Sequence, residues 1–396
     1  MKEGWSYIDF KDVFPIKMGK TPPRGDKSSW DEKKETHNKW VSIADISNNE
    51  GKIIEDTKEY ISDSAAEKIN KVSKGSLLMS FKLSIGRMAF AGDDLYTNEA
   101  IIAIPESKQY ILRFIYYYLL SYNWLSLTEG AEKVKGATLN KSSIGKIQLP
   151  VLSLSEQQRI VSRLDAVFAH IDALKANAEK QLSDAKALFQ RALTEAMEPK
   201  EGWEEKKFKD LCSFVRGPFG GSLKKNCFVP KGYAVYEQQN AIYNKFTFRY
   251  FIDEEKYRSM IRFSVVPGDL IMSCSGTIGK VAIIPEGAAK GIINQALLKL
   301  SPKKMLDKYY LKYLMESSFF DGLISQYSDG AAIKNIASVA ILKEIELSIP
   351  PLSEQERIVS RLDELSEKVK KLEEIQEKTI KECDALKQAI LREVFE

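Results

Sequence analysis

Histidine is almost missing from this 396-residue chain, which holds only His37 and His170. A Ser/His/Asp or Cys/His arrangement needs an imidazole held beside a nucleophile, and neither histidine is placed for that. His37 sits in a charged loop, and His170 flanks the apolar stripe of a long helical stretch. Cysteine is also scarce: Cys212, Cys227, Cys274 and Cys383 form no C-x-x-C pair, and the first half has none. That argues against a disulfide framework or a zinc module. Apolar runs such as Val281-Ala282-Ile283-Ile284 are far too short to span a membrane. The opening residues are charged and hold no apolar core, so no secretory leader is expected and a reducing cytoplasm is the expected setting. Gly276-Thr277-Ile278-Gly279-Lys280 looks like a phosphate loop only superficially. Its glycines are too close for G-x-x-x-x-G-K-[ST], and no Ser or Thr follows the lysine. No cofactor or metal is expected.

What the chain does have is a second copy of itself. Lys2-Glu3-Gly4-Trp5 recurs as Lys200-Glu201-Gly202-Trp203, half the chain further on, and Phe10-Lys11-Asp12 as Phe208-Lys209-Asp210. Leu154-Ser155-Glu156-Gln157-Gln158-Arg159-Ile160-Val161-Ser162-Arg163-Leu164-Asp165 returns as residues 352–363 with one change, Gln158 to Glu356. Weaker echoes link Gly75-Ser76-Leu77-Leu78-Met79-Ser80 to Gly268-Asp269-Leu270-Ile271-Met272-Ser273. Others link Ser84-Ile85-Gly86-Arg87 to Thr277-Ile278-Gly279-Lys280, and Asn98-Glu99-Ala100 to Asn294-Gln295-Ala296. The intervening segments have drifted, so the scaffold is shared and the loops differ. Four segments are expected: globular modules at 1–150 and 200–350, and helical segments at 151–199 and 351–396. The fold class is mixed α and β, with a pseudo-two-fold internal repeat.

The net charge of +4 is unevenly spread. The large segments carry the positive excess and the helical ones are slightly acidic, compatible with nucleic acid at the modules. In the helical segments apolar residues recur every seven. One series runs Ile160, Val167, Leu174, Gln181, Leu188, and a second Leu164, Ile171, Ala178, Ala185, Ala192. The other copy has Ile358, Leu365, Leu372, Thr379, Leu386 with Leu362, Val369, Gln376, Cys383, Ile390. Sustained heptads predict two helices of about 40 residues, roughly 60 Å each. Neither buries its seam alone, and two-fold symmetry makes the pair antiparallel. Helix pairing is therefore assigned to Ile160, Leu164, Val167, Ile171, Leu174 and Leu188, and to Ile358, Leu362, Leu365, Val369, Leu372 and Leu386. Ser155 with Gln158, and Ser353 with Glu356, have capping-box spacing. Pro199 ends the first helix. Leu152-Ser153 stands where the second copy has Pro350-Pro351, which should loosen the start of the first helix. In the modules, strands are expected at Lys39 to Ile43, Ser76 to Ser80, Asp269 to Ser273 and Lys280 to Ile284, and core helices at Ile111 to Leu120 and Lys308 to Met315.

The P-x-L-S-E-Q-x-R-I-V start of a long helix, found twice after two variable segments, resembles the specificity subunits of type I restriction-modification systems. Met18-Gly19-Lys20-Thr21-Pro22-Pro23 with Trp40-Val41-Ser42-Ile43-Ala44-Asp45-Ile46 is similar to the opening of their target-recognition domains. Val215-Arg216-Gly217-Pro218-Phe219-Gly220-Gly221-Ser222 with Tyr236-Glu237-Gln238-Gln239-Asn240 is another version of it. The resemblance implies a non-catalytic subunit with two target-recognition domains, each reading half of a bipartite double-stranded DNA site across a gap set by the helices. It also implies two adenine-methylating modification subunits as partners and, in the full complex, two ATP-driven restriction subunits. Methyl donor and nucleotide belong to those partners, and the Asn/Asp-Pro-Pro-aromatic motif of an amino-methyltransferase is absent here.

Base reading uses Arg or Lys on guanine and Asn or Gln on adenine, while other contacts go to phosphates. Candidates in the first module are Lys20, Arg24, Lys27, Lys33, Lys34, Asn38 and Lys39. In the second they are Arg216, Ser222, Lys224, Lys225 and Asn226, followed by Gln238, Gln239 and Asn240. Arg87, Thr277 and Lys280 are candidate phosphate contacts. Lys133, Lys135 and Lys141 near Gly136, and Lys334 with Asn335 near Gly330, are secondary. Two alternatives stay open at this point: a methyltransferase or nuclease with a built-in specificity module, and a coiled-coil adaptor with no DNA role.

Overall fold

A computed structural model describes residues 2–127, 135–219, 221–274, 277, 279–326 and 339–396. The chain divides into two compact units, Met1–Ala178 with Lys378–Glu396, and Glu179–Glu377. Each unit therefore holds one globular module, part of the helix that leaves it, and part of the other long helix.

In the first unit the main sheet has the order Lys17–Met18, Ile101–Ile104, Leu77–Ser80, Met88–Ala91, Ile53–Ile54. Leu77, Leu78, Met79 and Ser80 are all buried, as in a strand covered on both faces. A smaller sheet holds Glu59–Tyr60, Lys39–Val41 and Tyr96–Thr97, the last two parallel. A ribbon of Ser6–Asp9 with Gln148–Val151 ties the ends of the module together. The second unit repeats the plan. Its main sheet runs Cys212–Arg216, Leu297–Pro302, Leu270–Ser273, Val281–Ile283, and its smaller one Phe251–Ile252, Tyr233–Tyr236, Gly291–Ile293, again with the last two parallel. Glu204–Lys207 and Glu346–Ile349 form its ribbon.

The strand expected from Lys39 to Ile43 stops at Val41, because Ser42 caps the helix Ile43–Asn48. The Ser42 hydroxyl accepts from the Asp45 N–H while the Asp45 carboxylate accepts from the Ser42 N–H, a capping box hidden inside the apolar run. Glu237 and Asn240 hold the same cap and third-residue positions at the start of the helix Gln238–Tyr243. The aromatic-rich helices, Leu112–Ser121 and Lys308–Glu316, are core helices: they bury Phe114 through Leu119, and Tyr310, Leu311 and Tyr313 through Met315.

The long helices are Leu154–Met197 and Leu352–Phe395, 44 residues each. Within the first unit Lys175 pairs with Asp384 at 2.7 Å and Lys387 with Asp172. Within the second, Lys186 pairs with Glu373 at 3.7 Å, and the Gln376 amide donates to Gln181 at 2.9 Å. Numbers fall on one helix as they rise on the other, so the pairing is antiparallel in both units. The start signals sit two residues earlier than expected. Ser153, not Ser155, caps the first helix, accepting from Glu156 N–H at 3.2 Å. At the second start the Pro351 carbonyl takes the N–H groups of Glu354 and Gln355. Ser153 thus supplies a side-chain cap where looseness was expected.

Burial along the helices departs from the two expected series. Leu164, Ile171, Ala178 and Ala185, with Leu362, Gln376 and Cys383, are buried as expected, and so are Ile160 and Ile358. Beyond those two, the companion series lies one residue on, at Val161, Phe168 and Val359. Leu174, Leu188 and Leu386 are 57%, 56% and 50% exposed. Val167, Leu365, Val369 and Leu372 are half-buried. A 3.6-residue helix drifts against a seven-residue repeat. The module then decides between neighbouring positions: the Phe168 ring packs edge-on against Tyr117, centroids 5.5 Å apart.

The duplicated motif earns its identity at these junctions. Gln157 is fully buried, its amide donating to the carbonyls of Gln109 (2.8 Å) and Leu152 (3.0 Å) and accepting from Ile111 N–H (2.9 Å). Gln355 repeats this with Met305 (3.0 Å), Pro350 (2.9 Å) and Asp307 N–H (2.8 Å). Asp165 accepts from the Tyr117 hydroxyl and pairs with Arg113, and Asp363 accepts from Tyr313 at 2.6 Å. Helix and module are thereby locked in one orientation within each unit.

Candidate nucleic-acid interface

The echoes scattered along the sequence meet in space. In the first unit a Cβ on Gly19 would stand 2.0 Å from the Thr97 carbonyl oxygen, so only glycine passes there. Lys20 N–H donates to that carbonyl at 2.8 Å, and the Thr21 hydroxyl donates to Glu99. Phe81 N–H donates to the Ala100 carbonyl at 2.9 Å, bringing the loop 81–87 alongside. In the second unit a Cβ on Gly217 would meet the Asn294 carbonyl oxygen at 1.8 Å. Cys274 N–H donates to Ala296 at 2.9 Å, and the Arg216 guanidinium lies beside the Cys274 thiol. Gly86 and Gly279 share a left-handed backbone, φ 79° and 80°, and each donates to the carbonyl of Ser80 or Ser273 at 2.9 Å. Each module thus gathers an opening loop, a glycine turn and an Asn-x-Ala loop into one face.

The basic candidates divide by what they already hold. Lys20 and Lys27 are exposed, and among the described residues neither side chain has a hydrogen-bond or ion-pair partner; Lys33 reaches only Glu35, at 3.9 Å. Arg24 stacks over Trp30 and Trp40, 4.2 and 4.9 Å from the ring centres, and pairs with Glu59. Lys34 donates to Thr57 O and Asp56, Asn38 to Asp63, and Lys39 to Asp93, while Arg87 pairs with Glu50. The Tyr60 hydroxyl and the Lys34 ammonium hold Asp56 below the usual carboxylate range. Burial, helped by Asp56, pushes Tyr60 up to about 12. These five cations and amides shape the loop; Lys20, Lys27 and Lys33 are its available charges.

In the second module Lys224 and Lys225 are exposed, without a side-chain partner among the described residues, and Asn226 is exposed beside them. Ser222 closes a turn through its N–H to the Phe219 carbonyl at 2.9 Å. Gln238 is half-buried, and the Gln239 amide reaches back to Glu237 at 3.5 Å. Asn240 does not face outward. It is fully buried, its amide donating to the carbonyls of Lys245 and Thr247 and accepting from Glu237 N–H, so its role is to hold the loop. Thr277 and Lys280 are exposed on the glycine turn, and Lys141 is exposed at a helix start. Gly276, Ile278, Lys133, Gly330, Lys334 and Asn335 lie outside the described residues, as do the side chain of Lys135 and Gly136.

A second duplicated feature escaped the sequence reading. In the first unit a cleft is lined by Lys2, Trp5, Glu156, Arg159, Arg163 and Glu393. In the second, Lys200, Glu354, Arg357, Arg361 and Glu195 line a matching cleft. Trp203, the counterpart of Trp5, lies under the Lys200 ammonium. The signal was available: Arg159 and Arg357 keep 68% and 78% of their side chains exposed, so core packing does not explain their repetition.

Two similar α/β modules, each fastened to a long helix and each gathering three loops that carry basic residues, give the chain a duplicated architecture. The chain belongs to the type I restriction modification DNA specificity domain family, which matches it twice, over residues 2–183 and 200–382. It is similar to the specificity subunit of the type I restriction enzyme EcoBI of Escherichia coli, 29% identical over 135 residues, 33% of this chain and 28% of that one. It also resembles the putative type I restriction enzyme specificity subunit S.HindORF215P of Haemophilus influenzae, 26% identical over 272 residues, 66% of each chain. The matches thus span from about a quarter to just under two thirds of these relatives' lengths. Among solved structures, a chain from work on complex assembly and conformational transition of the type I R-M system aligns over 100% of this chain and 98% of its own, with TM-score 0.78 and 19% identity. The HsdS subunit from Thermoanaerobacter tengcongensis aligns over 100% and 97%, with TM-score 0.56 and 17% identity. At these identities the likeness establishes the fold.

Proposed function

We propose that this chain is the DNA sequence-recognition subunit of a type I restriction-modification complex. Each module reads one half of a bipartite double-stranded site through its three-loop face, and the paired helices set the unread gap. The observation that carries this reading is the duplicated face itself, built on shared glycine clamps with different polar residues in each copy. Lys20, Lys27, Lys33, Lys224 and Lys225 meet phosphates; Asn226, Gln238 and Gln239 are nearest in type to base readers. The chain contributes recognition and no chemistry. Adenine methylation, and ATP-driven restriction where those subunits join, belong to cytoplasmic partners. Removing Lys224 and Lys225 together by alanine substitution is expected to lower the slope of log affinity against log salt by about 2 units. Filter binding of the assembled complex measures this, and an unchanged slope speaks against DNA contact there.

The matching clefts are the docking places for two copies of the modification subunit, since one chemical surface presented twice suits one partner bound twice. Arg163→Glu should release one copy, Arg361→Glu the other, and the double variant both. Native mass spectrometry of the co-expressed complex counts them. Two copies retained on the double variant would exclude the clefts as the site.

A further inference from the structure

We infer that each three-loop face carries one projecting apolar side chain, Leu83 in the first module and Phe219 in the second, that presses against the base pairs of its half-site. The inference rests on the DNA-reading function proposed above. Leu83 has φ 62°, a left-handed backbone that a side chain with a Cβ resists. The fold asks for glycine here. Aligning Ser80 with Ser273 and Gly86 with Gly279 sets Leu83 opposite Gly276 in the second copy. The residue is 60% exposed and joins none of the hydrophobic clusters among the described residues. Two residues before it, Phe81 N–H donates to the Ala100 carbonyl, next to Glu99, the carboxylate that Thr21 of the opening loop holds. The leucine therefore borders the basic loop.

Phe219 reaches the same result by another route. It is 92% exposed and follows the clamped Gly217 and the buried Pro218. Its carbonyl accepts the Ser222 N–H in a tight turn. Arg216 precedes it, and Lys224 and Lys225 follow. A scattered exposed apolar residue needs no explanation. Here one is held in a disfavoured backbone and the other follows a clamped glycine, both among cations. Cations take the phosphates while an apolar side chain meets thymine methyls or wedges a base step.

The test uses the chain assembled with its modification partner, and duplexes carrying the motif that methylation sequencing assigns to wild type. Methyl-transfer kcat/KM is measured on that duplex and on every single-base change in either half. Leu83→Gly should lose about tenfold on the motif and discriminate less at a step of one half only. Phe219→Ser should do the same in the other half only. Leu83→Gly should also melt at or above the wild-type temperature, because glycine accepts the backbone that leucine resists. Wild-type kcat/KM and discrimination in both variants would overturn the inference, as would losses spread evenly over both halves. If wild type marks no bipartite motif at all, the proposed function fails first and this inference with it.

Discussion

Leucine in place of Gln157 is expected to destabilise the first unit by about 3–5 kcal/mol, and leucine in place of Gln355 the second unit by a similar amount. Volume is nearly preserved, so the loss comes from hydrogen bonding. Each substitution strands two carbonyls and one N–H in a buried junction, and each stranded group costs about 1–3 kcal/mol before local rearrangement. At Gln157 these are the carbonyls of Gln109 and Leu152 and the N–H of Ile111. Differential scanning calorimetry should show each variant lowering a transition by several degrees. A shift below about 1 °C would mean the amide is not what fixes the helix to its module.

The second large effect is on what the complex reads. Adding one heptad to each long helix keeps the seam in phase and lengthens each by seven residues, about 10 Å. At 3.4 Å per base pair that is about three base pairs of extra gap, with both half-sites unchanged. A motif with its original spacing would remove the helices from the role of spacer.

The duplication, the two long helices and the three echo segments were legible because local pattern and self-similarity encode them. The seam's phase was not. Whether Val167 or Phe168 turns inward depends on the Tyr117 ring, which a heptad count does not see. The candidate site was legible as a region but not residue by residue. Arg24 reads as a free guanidinium until Trp30, Trp40 and Glu59 are placed around it. Asn240 reads as an adenine-binding amide until it is found under the loop, satisfied by Lys245 and Thr247. Both fates turn on contacts that side-chain type alone does not specify. The clefts, by contrast, could have been found by asking which repeated residues on the long helices face away from the seam.

The central claim is that two heads read two separate blocks of DNA. It is tested most directly by single-molecule methylation sequencing of DNA from cells expressing this chain with its modification partner. A new modified-adenine motif in two parts separated by a fixed gap is the predicted result. A continuous motif, or no new methylation from a complex shown to assemble, would contradict it.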